Sequence, residues 1–109
     1  MENIILIKIY GKATNEEWMN INRYYAEYIA AFRENAKAMG FEIRIAYINT
    51  MSFDSVFAEI SSNNFLSKEK EEAAAIVKML TSEIKVAEDG TATVTPSDVK
   101  IIYRQITAY

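Results

Sequence analysis

The sequence predicts a single α+β domain, because strand-like and helix-like patterns alternate along one chain of 109 residues. Two short segments, 4–10 and 41–48, alternate apolar and polar residues, as strands with one buried face do. Two longer segments, 15–39 and 68–82, repeat apolar residues every three or four positions, which is typical of amphipathic helices. No linker, repeat or low-complexity tract separates these segments, so the pattern gives no support to a second domain.

The first predicted strand, 4–10, is rich in β-branched residues and ends before Gly11. Its alternate residues form two faces. The uniformly apolar face, which we expect in the core, consists of Ile5, Ile7 and Ile9.

A capping box predicts where the first helix begins. Thr14 stands three residues before Glu17, so each side chain can accept a hydrogen bond from the backbone N–H of the other. Gly40 supplies the left-handed residue that ends a helix over 15–39. The predicted apolar stripe comprises Trp18, Ile21, Tyr25, Tyr28, Ile29, Phe32, Ala36 and Met39. Such a helix is about 37 Å long at 1.5 Å per residue, so we expect it to span the domain or to protrude toward a partner.

A second strand is predicted over 41–48, where apolar and polar residues again alternate. A turn over 49–52 follows it. The next segment, 53–60, fits either a helical face or a strand that pairs back on the second strand, and we favour the strand.

The second helix is predicted over 68–82, with Ser67 as its cap. The acidic residues near its first turn, Glu69, Glu71 and Glu72, suit the helix dipole, and we expect them on the surface. The expected core residues of this helix are Ala73, Ile76, Val77 and Leu80.

The C-terminal part of the chain begins with a β-hairpin. Asp89-Gly90 is the dipeptide best suited to a two-residue type I′ turn, so the flanking segments 84–88 and 91–95 are predicted to pair. For the tail, Pro96 after Thr95 is typical of a helix start, and the apolar residues that follow have helical spacing. The density of β-branched residues favours a strand instead, and of the two we prefer a short helix.

The predicted element order is therefore β-α-β-β-α-β, extended by a hairpin and a short C-terminal helix or strand. This is the order of the ferredoxin-like arrangement, which is built from split β-α-β units. A fold of this kind specifies no function.

Composition excludes several kinds of chemistry. The chain has no His and no Cys, so disulfides, thiolate nucleophiles, Ser-His-Asp triads and His or Cys metal sites are ruled out. The formal net charge is −3. No apolar run approaches the length of a membrane-spanning helix, and the N-terminus lacks a signal-peptide pattern, so we expect a cytoplasmic protein without membrane contact.

One catalytic pattern needs neither His nor Cys: two carboxylates that hold Mg²⁺ beside a Lys that orients water. Asp54 with Glu83 and Lys85 resembles it superficially. A whole predicted helix separates the two acids, however, and we interpret Glu83 and Lys85 as solvated residues of the hairpin. The isolated glycines form no phosphate-binding loop. We therefore predict no enzyme activity, no metal and no cofactor.

Two groups of residues suit anions. Lys8, Tyr10 and Arg44 fit one sheet face, where a ring can stack on a base while the charges hold phosphate. Lys12 and Thr14 lie at a predicted helix N-terminus, which attracts anions, although neighbouring acidic residues repel them. Because the net charge disfavours nucleic acid, binding of single-stranded nucleic acid or of a small anionic ligand such as a nucleotide is the alternative function.

The long helix carries the strongest functional indication. Tyr24 lies outside the apolar stripe, beside Arg23, and Ala31 allows close approach of another helix. Tyr103 is predicted to add a further contact. We therefore predict a small binding protein that acts by noncovalent protein contact and self-associates. A short, acidic chain of this kind suits an adaptor or a stoichiometric inhibitor such as viruses and mobile elements encode.

Overall fold

The computed structural model describes residues 3–50, 56–64, 67–95 and 98–106. Its strands and helices alternate along the chain, which confirms the α+β class. The strands are β1 (Asn3–Gly11), β2 (Phe41–Asn49), β3 (Phe57–Ser62), β4 (Glu83–Val86), β5 (Ala92–Thr95) and β6 (Lys100–Gln105). The helices are α1 (Asn15–Tyr24), α2 (Ala26–Ala38) and α3 (Ser67–Leu80). No helix in the described ranges is both long and apolar enough to cross a membrane.

Four strands form one sheet in the order β2-β1-β3-β6. β1 pairs parallel with β2 and antiparallel with β3, and β3 pairs parallel with β6. The sheet thus joins two parallel β-α-β units, one from β1 to β2 and one from β3 to β6. The ferredoxin-like order is not confirmed, because a split unit has another strand between its two parallel strands, whereas β1 pairs directly with β2.

The core lies between this sheet and the helices. Ile5, Ile7 and Ile9 of β1 are buried, as their alternation predicts. The other members of the core cluster are Phe32, Ala36, Phe41, Ile43, Ala58, Ile60, Ala73, Ile76, Val77 and Leu80. Every predicted core residue of α3 is among them. Burial of each large apolar side chain stabilises the fold by about 1.5–3 kcal/mol, so one face of the sheet carries most of this stabilisation.

The helical region that α1 and α2 form together begins and ends where the sequence predicts. Thr14 Oγ1 accepts a hydrogen bond from the Glu17 N–H at 3.1 Å, and Glu17 Oε1 accepts one from the Thr14 N–H at 3.2 Å. The capping box is therefore formed. Gly40 follows the segment with a φ of +84°, the left-handed conformation that ends a helix.

The prediction of one continuous helix over 15–39 is wrong, because the helix is interrupted at Tyr25, between α1 and α2. Asn22 donates its side-chain amide to the Trp18 carbonyl at 2.7 Å. This bond competes with the backbone ladder one turn before the interruption. The Tyr25 N–H still bonds to the Ile21 carbonyl at 3.1 Å, so the helical path continues in two segments.

Two residues of the predicted apolar stripe are exposed, Tyr28 at 62% and Met39 at 55%. At about 100° per residue, Tyr28 lies about 80° around the helix from the buried Ala36, whereas Phe32 lies about 40° from it. The buried stripe is therefore narrower than the spacing of apolar residues indicates.

The segment predicted as a strand over 53–60 contains the start of β3, and 53–55 lie outside the described residues. β3 pairs with β1 rather than with β2, so the predicted partner is wrong. The preferred C-terminal helix is also wrong, because the tail forms β6 beside β3. Pairing with β3 fixes the tail as a strand. The Pro96 start signal lies outside the described residues.

The hairpin of β4 and β5 is confirmed, but its turn differs from the prediction. The Gly90 N–H donates to the Ala87 carbonyl at 3.0 Å and the Ala87 N–H donates to the Thr91 carbonyl at 2.8 Å, which closes a loop over 88–90. A type I′ turn needs positive φ at two central residues. Within the described hairpin only Gly90 has a positive φ, of +87°. The loop is therefore a turn followed by a left-handed glycine.

Candidate interaction surface

The four-stranded sheet has one face on which none of the described helices packs. The helices pack on the face that carries the buried isoleucines of β1. We call the opposite face the open face. It consists of the even-numbered residues of 4–10 in β1, 42–48 in β2 and 100–104 in β6, and the odd-numbered residues of 57–61 in β3.

Apolar side chains form a continuous part of the open face. The strand register places Ile48, Tyr10 and Phe57 side by side across β2, β1 and β3. The rings of Tyr10 and Phe57 stack with centroids 4.5 Å apart and planes within 7° of each other. Ile48 is 37% exposed and Ile102 on β6 is 41% exposed. Covering such side chains gains about 25 cal/mol per Å², so the open face suits a partner.

Charges of both signs lie among these apolar residues. Arg44 Nη2 lies 3.4 Å from Glu42 Oε1, and Arg104 Nε lies 3.9 Å from Glu59 Oε1. Lys8 is the cross-strand neighbour of Glu59. A surface with both signs can match a second copy of itself or another protein of mixed charge.

The structure places Lys8, Tyr10 and Arg44 together on the open face. They therefore share the surface that the nucleic-acid hypothesis requires. Binding of nucleic acid by these residues stays a prediction.

Three backbone N–H groups at the start of α1, where an anion site was considered, are bonded to protein groups. The Glu17 N–H bonds to Thr14 Oγ1, and the Ala13 N–H donates to Tyr47 Oη at 2.6 Å. Lys12 is exposed in the same turn. Because protein groups already accept these hydrogen bonds, an anion would have to displace them.

The residues predicted for a protein interface lie on three different elements, α1, α2 and β6. Arg23 and the half-exposed Tyr24 end α1, and Ala31 is exposed on α2, which packs on β2. Tyr103 lies on β6, at the opposite edge of the sheet, where Lys70 Nζ lies 4.3 Å from its ring centroid. These residues therefore do not form one patch.

Glu69 is buried, at 2% exposed, and not on the surface as the sequence predicts. It lies one turn before the buried Ala73 and on the same side of α3. Its Oε2 has no hydrogen-bond partner within the described residues. The same helix leaves Glu71 exposed and Glu72 half-buried.

Of the three residues considered for metal-dependent catalysis, the structure describes Glu83 and Lys85. Glu83 and Lys85 are exposed on β4, and Asp54 lies outside the described residues. Within the described parts, no group of three His, Cys, Asp or Glu residues could hold a metal ion.

Sequence reasoning missed the apolar character of the open face. Phe57 and Ile102 belong to it only because β3 pairs with β1 and the tail forms a strand. The signal that could have found it is the second face of β1, where Leu6 and Tyr10 flank Lys8. Apolar residues on both faces of a strand indicate that the second face is also available for a contact.

The chain matches no known protein family, and no curated protein matches it. Among solved structures, it is similar to a macrophage migration inhibitory factor-like protein from Entamoeba histolytica. The sequences are 14% identical, the similarity covers 96% of this chain and 89% of that chain, and the TM-score is 0.47. A similarity of this size says nothing about activity.

Proposed function

We propose that this chain is a binding protein that acts by noncovalent protein contact through the open face, and that its partner is a second copy of itself. The observation that carries the proposal is the apolar content of a sheet face on which no described helix packs. The stacked pair of Tyr10 and Phe57, together with Ile48 and Ile102, lies on that face. An adaptor or a stoichiometric inhibitor needs only such a surface.

The arrangement of charges favours a second copy as the partner. In a contact between two copies, a residue of one open face contacts a different residue of the other open face. Arg44 and Arg104 on one copy then find Glu42 or Glu59 on the other, because each open face carries both signs. The overall net charge of −3 is small, so repulsion between copies is weak at physiological salt.

Sedimentation of the parent chain and of open-face variants tests this proposal. We expect the parent to show a mass above 12.4 kDa at micromolar concentration. Ile102→Lys and Ile48→Lys place a charge in the contact and should shift the chain to the monomer. Both residues are already partly exposed, so the fold should tolerate the changes.

Tyr24→Lys is the matched control, because Tyr24 is similarly exposed but lies on α1. We expect it to leave the assembly intact. Dissociation by Tyr24→Lys and not by Ile102→Lys would move the contact to the helices. A parent mass of 12.4 kDa up to high micromolar concentration would show that self-association is wrong.

A second candidate function is the binding of single-stranded nucleic acid, because Lys8, Tyr10 and Arg44 share the open face. Against it, Glu42 and Glu59 lie beside the basic groups of that face. We expect no affinity for an oligonucleotide at physiological salt by fluorescence anisotropy. Salt-sensitive binding that Tyr10→Ala weakens, by about 1–3 kcal/mol for one stacked base, would make this function the better one.

A further inference from the structure

The hairpin of β4 and β5 stands apart from the core. Its two strands pair with each other, and neither packs extensively against another described element. Ile84 and Val94 face each other across it but do not belong to the core cluster. An isolated two-stranded hairpin is marginally stable in water. The hairpin is therefore an arm whose stability would increase on contact with another surface.

The outer edge of β5 has no strand beside it in the part of the chain that the structure describes. Because the Ala87 N–H bonds to the Thr91 carbonyl, backbone alternation points the N–H and C=O groups of Ala92 and Val94 away from β4. Charged side chains on an edge strand discourage pairing with another chain. β4 carries charges of both signs, whereas β5 carries none.

The outer edge of β2 is also free along most of its length. The Thr50 N–H bonds to the Gly11 carbonyl at 2.8 Å, so alternation points the backbone groups of even-numbered β2 residues toward β1. The odd-numbered residues point theirs outward. Arg33 Nη1 donates to the outward Ile43 carbonyl at 2.8 Å and covers the start of this edge. The remaining part, 45–49, has no strand beside it among the described residues.

Basic residues lie at the start of the β2 edge. Arg33 and Lys37, one turn apart on α2, line a shallow cavity of about 350 Å³ together with Phe41. Glu42 also lines this cavity, but its carboxylate lies 3.4 Å from Arg44. Lys37 has no ion-pair partner within the described residues. The cavity therefore offers positive charge to a neighbour.

The tip of the hairpin carries the opposite charge. Glu88 and Asp89 are both exposed there. Asp89 Oδ1 accepts a hydrogen bond from the Thr91 N–H at 2.9 Å. This bond to the Thr91 backbone, together with one to its side chain, lowers the pKa of Asp89 from its ordinary value. Asp89 is therefore ionised at neutral pH.

We propose that β5 of one copy pairs with the free edge of β2 in a second copy, and that the acidic hairpin tip lies against Arg33 and Lys37. This inference rests on the proposed self-association, and it names two strands whose pairing would stabilise the contact between copies. With the tip at the start of β2, β5 runs parallel to β2. Its four residues span three steps, about 10 Å at about 3.3 Å per step, and therefore fit within the free stretch 45–49, which spans four steps or about 13 Å.

The open face alone is smaller than a stable interface, and the proposed hairpin contact adds to the buried area. Four strands about 4.8 Å apart and about 20 Å long cover roughly 400 Å². A stable interface buries about 800 Å² per partner. A hairpin that reaches across to the next copy adds backbone hydrogen bonds and further buried surface.

A charge exchange tests the contact between tip and edge by sedimentation equilibrium of the full chain. Glu88→Lys alone and Lys37→Glu alone should each raise the dissociation constant three- to tenfold. The two changes in one chain should restore the parent value, because the charges are then exchanged and the net charge is unchanged. Glu71→Lys and Lys78→Glu, both on exposed positions of α3, are the matched controls and should have no effect.

Val94→Pro tests the strand pairing itself. The outward Val94 N–H makes no bond within the hairpin, so proline removes no hydrogen bond of the hairpin itself. We expect at least tenfold weaker assembly with an unchanged circular dichroism spectrum. If the parent assembles, Ile102→Lys dissociates it, and neither Val94→Pro nor the charge changes have an effect, the hairpin contact is wrong while the open-face proposal stands. A monomeric parent would contradict both.

Discussion

The two β-α-β units of the sheet share their topology but differ in how deeply the returning strand is buried. In the first unit, β2 returns with Phe41 and Ile43 in the core. In the second unit, β6 returns with most of its side chains exposed, Ile102 and Tyr103 among them. The returning strand of the first unit therefore contributes to the core, whereas the returning strand of the second unit leaves apolar side chains on the surface.

The connections of the two units explain this difference. In the first unit, a capping box and Gly40 bound the helices, and the chain enters β2 directly. In the second unit, a hairpin that stands apart from the core separates α3 from β6. The residues between α3 and β6 therefore form the β4–β5 hairpin instead of leading directly into the returning strand.

The largest expected difference between the two units is the loss of unfolding free energy when an isoleucine of the returning strand is replaced by alanine. Ile43→Ala in β2 removes a buried side chain and should lower the free energy of unfolding by about 2–5 kcal/mol. Ile102→Ala in β6 is the matched change at a partly exposed site and should cost less than about 1 kcal/mol. Urea unfolding at a concentration where the parent is monomeric measures both. Equal losses would remove the distinction between the units.

A smaller effect is expected where β1 ends. A Cβ on Gly11 would lie 2.7 Å from Tyr47 Oη, the atom that accepts the hydrogen bond from Ala13. Gly11→Ala should therefore cost about 1–3 kcal/mol of unfolding free energy. In a Tyr47→Phe background the hydroxyl is absent, so the same change should cost clearly less. A cost that does not depend on the hydroxyl would show that this contact is not the cause.

The elements that the sequence predicts well are those that local chemistry determines. The capping box at Thr14, the stop at Gly40 and the buried face of β1 each depend on a few neighbouring residues, and each is confirmed. The interruption at Tyr25 and the three-residue hairpin loop depend on hydrogen-bond geometry that residue types alone do not specify.

The candidate surface was less accessible to sequence reasoning, because it depends on strand pairing. Phe57 lies beside Tyr10 only because β3 pairs with β1, a contact between distant parts of the chain. The tail joins the same face only as a strand, and its residues have both helical spacing and β-branched character. Local patterns cannot decide between two such structures, since the neighbouring strand decides it.

A destabilising change in the hairpin should affect the local stability of the hairpin and not the global stability of the fold. Gly90 has a φ of +87° with open space around it, so Gly90→Ala strains the loop without a clash. We expect faster amide exchange over 83–95 by about fivefold and an unchanged midpoint of global unfolding. Loss of global stability by more than about 1 kcal/mol would show that the hairpin is part of the core unit.

The smallest expected effect is a pH dependence of the same loop. Hydrogen bonding to Thr91 lowers the pKa of Asp89 below its ordinary value of 3.8. A carboxyl with a lowered pKa in the folded state stabilises that state above the unfolded pKa, and the contribution is lost as pH falls through the folded pKa. The amide shift of Thr91 should therefore titrate below pH 3.8. Asp89→Asn should abolish this titration, and a midpoint above 3.8 would contradict the hydrogen bond.

Hydroxyl-radical footprinting as a function of protein concentration tests most directly whether the open face is the contact surface. Tyr10, Phe57 and Ile102 report on that face, and the exposed Tyr28 on α2 is the internal control. We expect oxidation of the three open-face residues to fall severalfold between nanomolar and high micromolar concentration while Tyr28 stays constant. Constant oxidation of the open face, or protection of Tyr28 instead, would contradict the account.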